Sequence, residues 1–335
     1  MRRIFTLTIL NCSLLLAVST GRAQDEPALR FGALTVSRAT VLRSKPSNSA
    51  PALRTLPKTT ALRWINGQKK GNFFRVFGPK GPQGWVSIND VQVITPAPPP
   101  VLTQSPAPPC VANLSVCPPN GCGATGSTQA LVNEAKRRTP LGSAPVNLTF
   151  ADFAALQDQT DELVGQGTEL DAAERDLLSG LEVSGGTVRE NSLARITGFI
   201  VFNSDPHANT GESVNCRLKT AANNDFHISL AEQANDSEFE GIVIEMIPQE
   251  RPNKWTLTKL RAIKNARKRV MAVGGLLYDN KHVVNSDPEN PLPGQPARYS
   301  LWELHRVTEF FVCKKTNNAC NPDTASDWTP LKDFQ

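Results

Sequence analysis

Two histidines and three carboxylates sit inside apolar stretches at spacings that align them on a strand. In Asp225-Phe226-His227-Ile228-Ser229-Leu230, an extended chain points successive side chains to opposite faces. Asp225, His227 and Ser229 therefore share one face, and Phe226, Ile228 and Leu230 the other. Glu245 shares a face with Val243, and Glu303 with His305. Carboxylate and imidazole donors of this kind ligate a divalent metal such as zinc, and a bound ion would activate water for hydrolysis. A sheet with one face turned to water alternates in the same way. That plainer reading is preferred, so no cofactor is expected. The alternative is a metal-dependent hydrolase on Asp225, His227, Glu245, Glu303 and His305. It stays in view because two of the chain's 4 histidines fall in these motifs.

A second stretch is basic. Arg251 to Arg269 carries eight Lys/Arg and no acid. Arg251, Lys254, Trp255, Lys264, Arg267, Lys268 and Arg269 are the candidates for polyanion contact, since single-stranded nucleic acid is held by a cationic groove with aromatic platforms. One aromatic in the stretch and acidic surroundings favour a solvated helix face, and nucleic acid is set aside as the expected partner. No glycine-rich phosphate loop and no serine nucleophile elbow is present.

Export is expected from the N-terminus. Arg2-Arg3, the apolar run Ile4 to Leu16 and Gly21-Arg22-Ala23 have the parts of a signal peptide over residues 1–23. Beyond it no apolar run reaches the ~20 residues that span a bilayer. Six cysteines then remain: Cys110, Cys117, Cys122, Cys216, Cys313 and Cys320. An even count in an exported chain reads as disulfides. Turn residues suggest local loops Cys117–Cys122 and Cys313–Cys320, which leaves Cys110 for Cys216, although six cysteines allow 15 pairings.

These groups need elements to hold them. The composition, 39% hydrophobic and 20% charged, suits globular modules. Residues 31–95 alternate at strand spacing through Val41-Leu42, Ala52 to Leu56, Leu62 and Trp64, Phe73 to Val76, and Trp85 to Ile88. Breakers at Lys45-Pro46-Ser47-Asn48, Asn66-Gly67 and Gly78 to Pro82 separate them. Five short strands make a small barrel, with Trp64, Phe73 and Trp85 read chiefly as core. Residues 96–126 are a Pro-rich, Cys-containing linker that favours extended geometry. Residues 127–182 turn helical, with Ser127, Thr149 and Asp171 as caps and Asp152 as capping partner.

Residues 183–335 hold strand candidates Leu193–Asn203, Asp225–Ala231, Gly241–Ile247, Arg269–Asp279 and Ser300–Cys313. Between the third and fourth, Trp255–Ala266 puts Leu257, Leu260 and Ile263 on one helical face. Three strands, a helix and two strands is the element order of an OB-fold, with Gly198 where the first barrel strand must bend. The fold class is mainly β: a small SH3-like barrel, a linker, a short helical segment, and an OB-like five-stranded barrel with one inserted helix.

The SH3 part of that reading rests on a resemblance. Val41-Leu42-Arg43-Ser44-Lys45-Pro46-Ser47 and Gly71-Asn72-Phe73-Phe74-Arg75-Val76, followed by Gly84-Trp85-Val86-Ser87, are similar to the opening and closing motifs of bacterial SH3 domains. Lys45 replaces the usual glycine, and Phe73 stands where tryptophan is common. The resemblance implies tethering of an exported bacterial protein to wall peptides or partners. Charge agrees: residues 24–95 hold 11 Lys/Arg against 3 Asp/Glu, and residues 96–335 hold 22 against 28. A cationic module suits an anionic partner, although it would equally attract the acidic remainder of the chain. The expected protein is exported, periplasmic or extracellular, and non-catalytic. It recognises a cell-wall polymer or an envelope protein, with Arg43, Lys45, Lys69 and Lys70 as the anion-binding candidates.

Overall fold

A computed structural model describes residues 30–78, 81–96, 107–203 and 211–335. The expected signal peptide, residues 1–23, and the middle of the Pro-rich stretch lie outside them. The first module contains β1 (Phe31–Val36), β2 (Thr40–Arg43), β3 (Ala52–Leu56), β4 (Ala61–Lys70), β5 (Phe73–Phe77), β6 (Gln83–Ser87) and β7 (Val91–Thr95), ordered β3-β2-β6-β5-β4-β1-β7. Leu34, Val36, Leu42, Leu56, Leu62, Phe74, Val76 and Val86 form its core. Phe73 and Trp85 are buried as expected, while half-buried Trp64 lies 4.4 Å from the Phe74 ring.

Three details differ from the five-strand expectation, the first being an added strand, β1, ahead of Val41. Asn66-Gly67 is a bulge inside the ten-residue β4, where Asn66 (φ +47°) and Gly67 (φ +69°) take the left-handed conformation that both residues tolerate. The added β7 carries no alternation because nearly all of it is exposed.

The second half follows the expected order closely. Ser127 caps α1 (Thr128–Arg137), accepting from the Ala130 amide at 3.1 Å. An unexpected strand, β8 (Leu141–Leu148), follows and pairs parallel with the first barrel strand; Pro145 and its exposed side chains belong to a sheet edge. Thr149 and Asp152 close a capping box on α2 (Phe150–Leu163), and Asp171 and Glu174 do so on α3 (Ala172–Asp176). A small hairpin, β9 (Leu181–Val183) and β10 (Gly186–Val188), leads into the barrel.

The barrel strands are β11 (Ser192–Asn203), β12 (Phe226–Ala231), β13 (Ile242–Met246), β14 (Arg269–Tyr278) and β15 (Trp302–Cys313). Helix α4 (Leu257–Asn265) lies between β13 and β14, and β16 (Trp328–Pro330) adds to β15. β11 pairs with β14 up to Phe199 and with β12 from Phe199 onward, so it bends there and closes the ring β11-β12-β13-β15-β14. A Cβ on Gly198 would lie 2.7 Å from the Ala231 carbonyl oxygen and 2.8 Å from the Phe150 ring, so only glycine fits the bend. β13 and β15 pair in parallel and the other barrel neighbours antiparallel. The result is a closed five-stranded, OB-like barrel. Ile228, Leu230, Ile244, Met246, Ala272, Leu304 and Phe310 belong to its core, and Phe153, Leu156, Leu260 and Ile263 of the helices pack against them.

The two modules touch directly. Ile65, Phe77, Val283 and Leu292 share a small apolar cluster with Phe31 against it. Around it, Arg75 donates to the Asn290 carbonyl at 2.6 Å, Arg63 to the Gln166 carbonyl at 2.7 Å, and the Gly81 amide to the Asp161 carbonyl at 2.5 Å. The six cysteines among the described residues are all paired: Cys110–Cys122, Cys117–Cys216 and Cys313–Cys320. The last is the expected loop. The expected Cys117–Cys122 and Cys110–Cys216 pairs are exchanged, because Cys117 turns inward against Cys216 and Leu218 while the Cys122 amide donates to the Ser213 carbonyl.

The loops closed by these bonds predict unequal stabilities. Removing Cys117–Cys216, separated by 99 residues, with paired Cys→Ser changes should cost about 4–5 kcal/mol. Removing Cys313–Cys320, separated by 7, should cost about 2–3 kcal/mol in the same urea titration. A second expectation concerns Asp161 on α2. Burial pushes its carboxyl up to about 6, against the hydrogen bonds from Gln166 and Gln157. A folded-state value above the unfolded one gives a contribution that is full below about pH 4 and lost as pH rises through 6. The stability difference between the native chain and Asp161→Asn should therefore fall by up to about 3 kcal/mol between pH 4 and pH 7.5.

Candidate functional site

Parallel pairing of β13 with β15 puts Glu245 opposite His305, and antiparallel pairing of β12 with β13 puts His227 opposite Glu245. The three form one row across three strands on the outer face, since Ile244 and Met246 point into the barrel. An outward face of this kind is ordinarily wet. Here it is roofed: Asp225 is 0% exposed and Glu245 and His305 1% each. The roof consists of α1, the disulfide-tied segment after Cys110 and the loop 211–225. Arg137 at the end of α1 donates to the carbonyls of Cys117 and Pro118, at 3.0 and 2.6 Å, which fixes the helix to the disulfide that carries the loop. Buried Asn215 donates to Asp225 at 3.0 Å and to Glu212 at 3.1 Å.

Distances within the cluster are short. His305 Nε2 lies 2.7 Å from Glu245 Oε2 and 3.6 Å from Asp225 Oδ2. His227 Nε2 lies 3.1 Å from Glu245 Oε1 and 3.5 Å from Glu212 Oε1. Lys136 of α1 reaches in from the roof, its Nζ 3.5 Å from Glu245 Oε2. A second group continues the network. Buried Arg298 sits 3.1 Å from Asp279 and 3.2 Å from Glu303, and His282 lies 3.5 Å from Asp279.

Charge explains the titration behaviour. Five carboxylates (Glu212, Asp225, Glu245, Asp279 and Glu303) surround two cations, Lys136 and Arg298. Arg137 and Arg251 stand at the margin with their guanidinium groups bonded to carbonyls. Burial opposes a charged imidazole, yet Glu245 and Glu212 outweigh it and hold His227 up to about 10. Burial is likewise overcome at His305, which Glu245 and Asp225 hold up to about 9. Lys136 stays well above the ordinary lysine value despite burial, because Glu245, Glu303 and Asp279 face it. Burial and Asp225 push Glu212 well up, while the two imidazoles and Lys136 pull Glu245 well down against its burial. Burial, with Glu245 and Asp279, raises Glu303 to about 7.

Of the five residues singled out from the alternation, Asp225, His227, Glu245 and His305 come together. Glu303 belongs to the Arg298 pair instead. Glu212, Lys136, Asp279, Arg298 and His282 carried no signal in the sequence, because they lie on loops and on a helix whose burial depends on what covers it.

The basic candidates are placed differently. Trp255 is buried in the barrel core, so it cannot serve as a stacking platform. Arg251 stacks on Phe226 at 3.6 Å and donates to the Asn224 and Met246 carbonyls, and Arg269 donates to Thr197. Lys254 and Arg267 are exposed, while Lys264 at the end of α4 and Lys268, which donates to the Lys315 carbonyl at 3.4 Å, are half-buried. On the first module, Lys45 pairs with Glu289 at 3.3 Å and Lys70 meets Asn290, so both face the acidic neighbour. Arg43 donates to the Ala50 carbonyl, and Lys69 is exposed.

The family model of the bacterial SH3 domain matches residues 38–92, the stretch that forms β2 to β6 and the start of β7. The first module is a bacterial SH3 domain. No curated protein and no solved structure matches the chain. The SH3 domain retains a cleft of about 170 Å³ lined by Leu42, Arg54, Thr55, Leu56, Pro57, Thr60, Gly78 and Pro82. Lys45 and Lys70 lie where the domain meets the second module.

One consequence of the roofed cluster is directly measurable. Lys136→Met removes a buried cation facing Glu245 without adding bulk, and should destabilise the chain by about 3–5 kcal/mol in denaturant titration. The exposed Lys69→Met should change stability by no more than about 0.5 kcal/mol.

Proposed function

We propose that this is an exported bacterial protein that binds cell-wall material through its SH3 domain and does not act on it chemically. The family match over residues 38–92 carries the reading, since such modules commonly serve as wall-binding units. Three disulfides suit an oxidising compartment. Among the described residues, no helix is long and apolar enough to cross a membrane. Residues 1–23 supply the basic and apolar parts of an export signal.

The non-catalytic part of the proposal is supported by burial. Asp225, Glu245 and His305 are sealed beneath α1 and its disulfide-tied support, so a polymer has no approach to them. The cleft on the SH3 domain has a different setting, with exposed Thr55 and Pro57 in its lining. It takes an apolar or peptide group, and exposed Lys69 adds charge for an anionic polymer. With Lys45 and Lys70 engaged by the barrel's Glu289 and Asn290, Lys69 and Arg43 remain as the anion-binding candidates.

Cosedimentation of the full chain with purified bacterial cell-wall sacculi tests this. Retention is expected, with at least a tenfold loss in Thr55→Trp, which places bulk at the exposed rim of the cleft. A partial loss is expected on raising salt, through screening of the lysine. Equal recovery in the supernatant with and without sacculi would overturn wall binding and direct attention to an envelope protein.

A further inference from the structure

The chemistry of the roofed cluster goes beyond its role in packing. Asp225 Oδ2, Glu245 Oε2 and His305 Nε2 are fully buried, and none of the three makes a hydrogen bond. They crowd against one another instead, with one donor atom from each residue within 4.8 Å of the others. The close approaches of His305 to Glu245 and Asp225 are ion-pair contacts without hydrogen-bond alignment, and they leave both carboxylate oxygens without an aligned donor. An aligned carboxylate acceptor within a protein ordinarily finds a donor, and an unmet buried one costs about 1–3 kcal/mol or more.

We propose that Asp225, Glu245 and His305, with His227 beside them, form a binding site for one divalent cation of the zinc class. The donor set is the mixed oxygen and nitrogen one that borderline divalent ions take. Ligands held about 2.0–2.1 Å from an ion stand roughly 3.0–3.4 Å apart, and the observed 2.7 and 3.6 Å separations straddle that range. His227 Nε2 points at the other oxygen of Glu245, at 3.1 Å, and its side chain is 23% exposed, which gives an ion an entrance to an otherwise closed site.

Charge argues the same way. The cluster holds more carboxylates than fixed cations, five against Lys136 and Arg298. A divalent ion supplies positive charge at the point where the donors converge. Asn215, which donates to both Asp225 and Glu212 and accepts from Gln249 at 2.8 Å, holds the carboxylates in place from behind. The site is independent of wall binding. Its sealed position gives the ion a structural role, holding the roof of α1 and the Cys117–Cys216 loop to the barrel.

The test uses the full chain with disulfides intact, freed of metal by a chelator and titrated with Zn(II) calorimetrically. One equivalent is expected to bind. Glu245→Gln and His305→Gln should each weaken binding at least 100-fold, while Glu303→Gln, which touches Arg298 instead, should stay within about threefold. Should a variant fail to fold, imidazole-labelled native protein decides the matter. Zn(II) should shift the ring nitrogens of His305 and His227 and leave those of His282 in place. Absence of saturable binding by the folded native chain would overturn the site and leave Lys136 as the cation of the cluster. Undiminished binding in both variants, or shifts confined to His282, would overturn it equally.

Discussion

Parallel pairing of β13 with β15 is the contact on which both the barrel and its candidate site depend. It joins the second and third strands to the last two and so completes the ring that β11 opens by bending at Gly198. The same pairing sets Glu245 across from His305, with His227 on the other side of Glu245. Strand alternation then requires these side chains to leave the barrel together, because Ile244, Met246 and Leu304 occupy its interior. The polar row is a geometric consequence of the closure that buries the apolar one.

Burying that row outside the barrel creates an electrostatic demand. Carboxylates removed from water must be neutralised, because an unpaired buried charge costs several kcal/mol. The roof answers with Lys136 and, through the adjoining pair of Asp279 and Glu303, with Arg298. Cys117–Cys216 and the bonds from Arg137 to the Cys117 and Pro118 carbonyls hold that roof in register with the strands beneath it. The disulfides therefore position charge as well as stabilise the chain.

Cationic and acidic halves meet in the same economy of charge. Arg63 and Arg75 give their guanidinium hydrogens to backbone carbonyls of the second half, around an apolar cluster of Ile65, Phe77, Val283 and Leu292. Lys45 and Lys70 face Glu289 and Asn290. Part of the positive charge that suggests an anionic polymer thus serves to dock the SH3 domain. Its cleft at exposed Thr55 and Pro57 lies among residues that carry no such duty, apart from Arg54, which pairs with Glu162.

Local periodicity and punctuation were enough to read the five barrel strands, the intervening helix, the caps at Ser127, Thr149 and Asp171, and the SH3 motifs. Each of these is specified within a dozen residues, by alternation, by a capping oxygen or by a turn. The shared face of Asp225 and His227, and that of Glu303 and His305, were legible for the same reason. What those faces meet was not. Whether Glu245 faces water or Lys136 depends on a helix more than a hundred residues earlier. Whether Glu303 joins His305 or Arg298 depends on a loop that carries no periodicity. The exchange of partners among Cys110, Cys117, Cys122 and Cys216 likewise follows from which sulfur the loop at 213–218 turns inward. Strand direction and side-chain facing belong to the sequence by itself, because neighbouring residues set them through sterics. Burial, charge pairing and disulfide choice came only with the tertiary structure, because they are properties of surfaces that distant segments bring together.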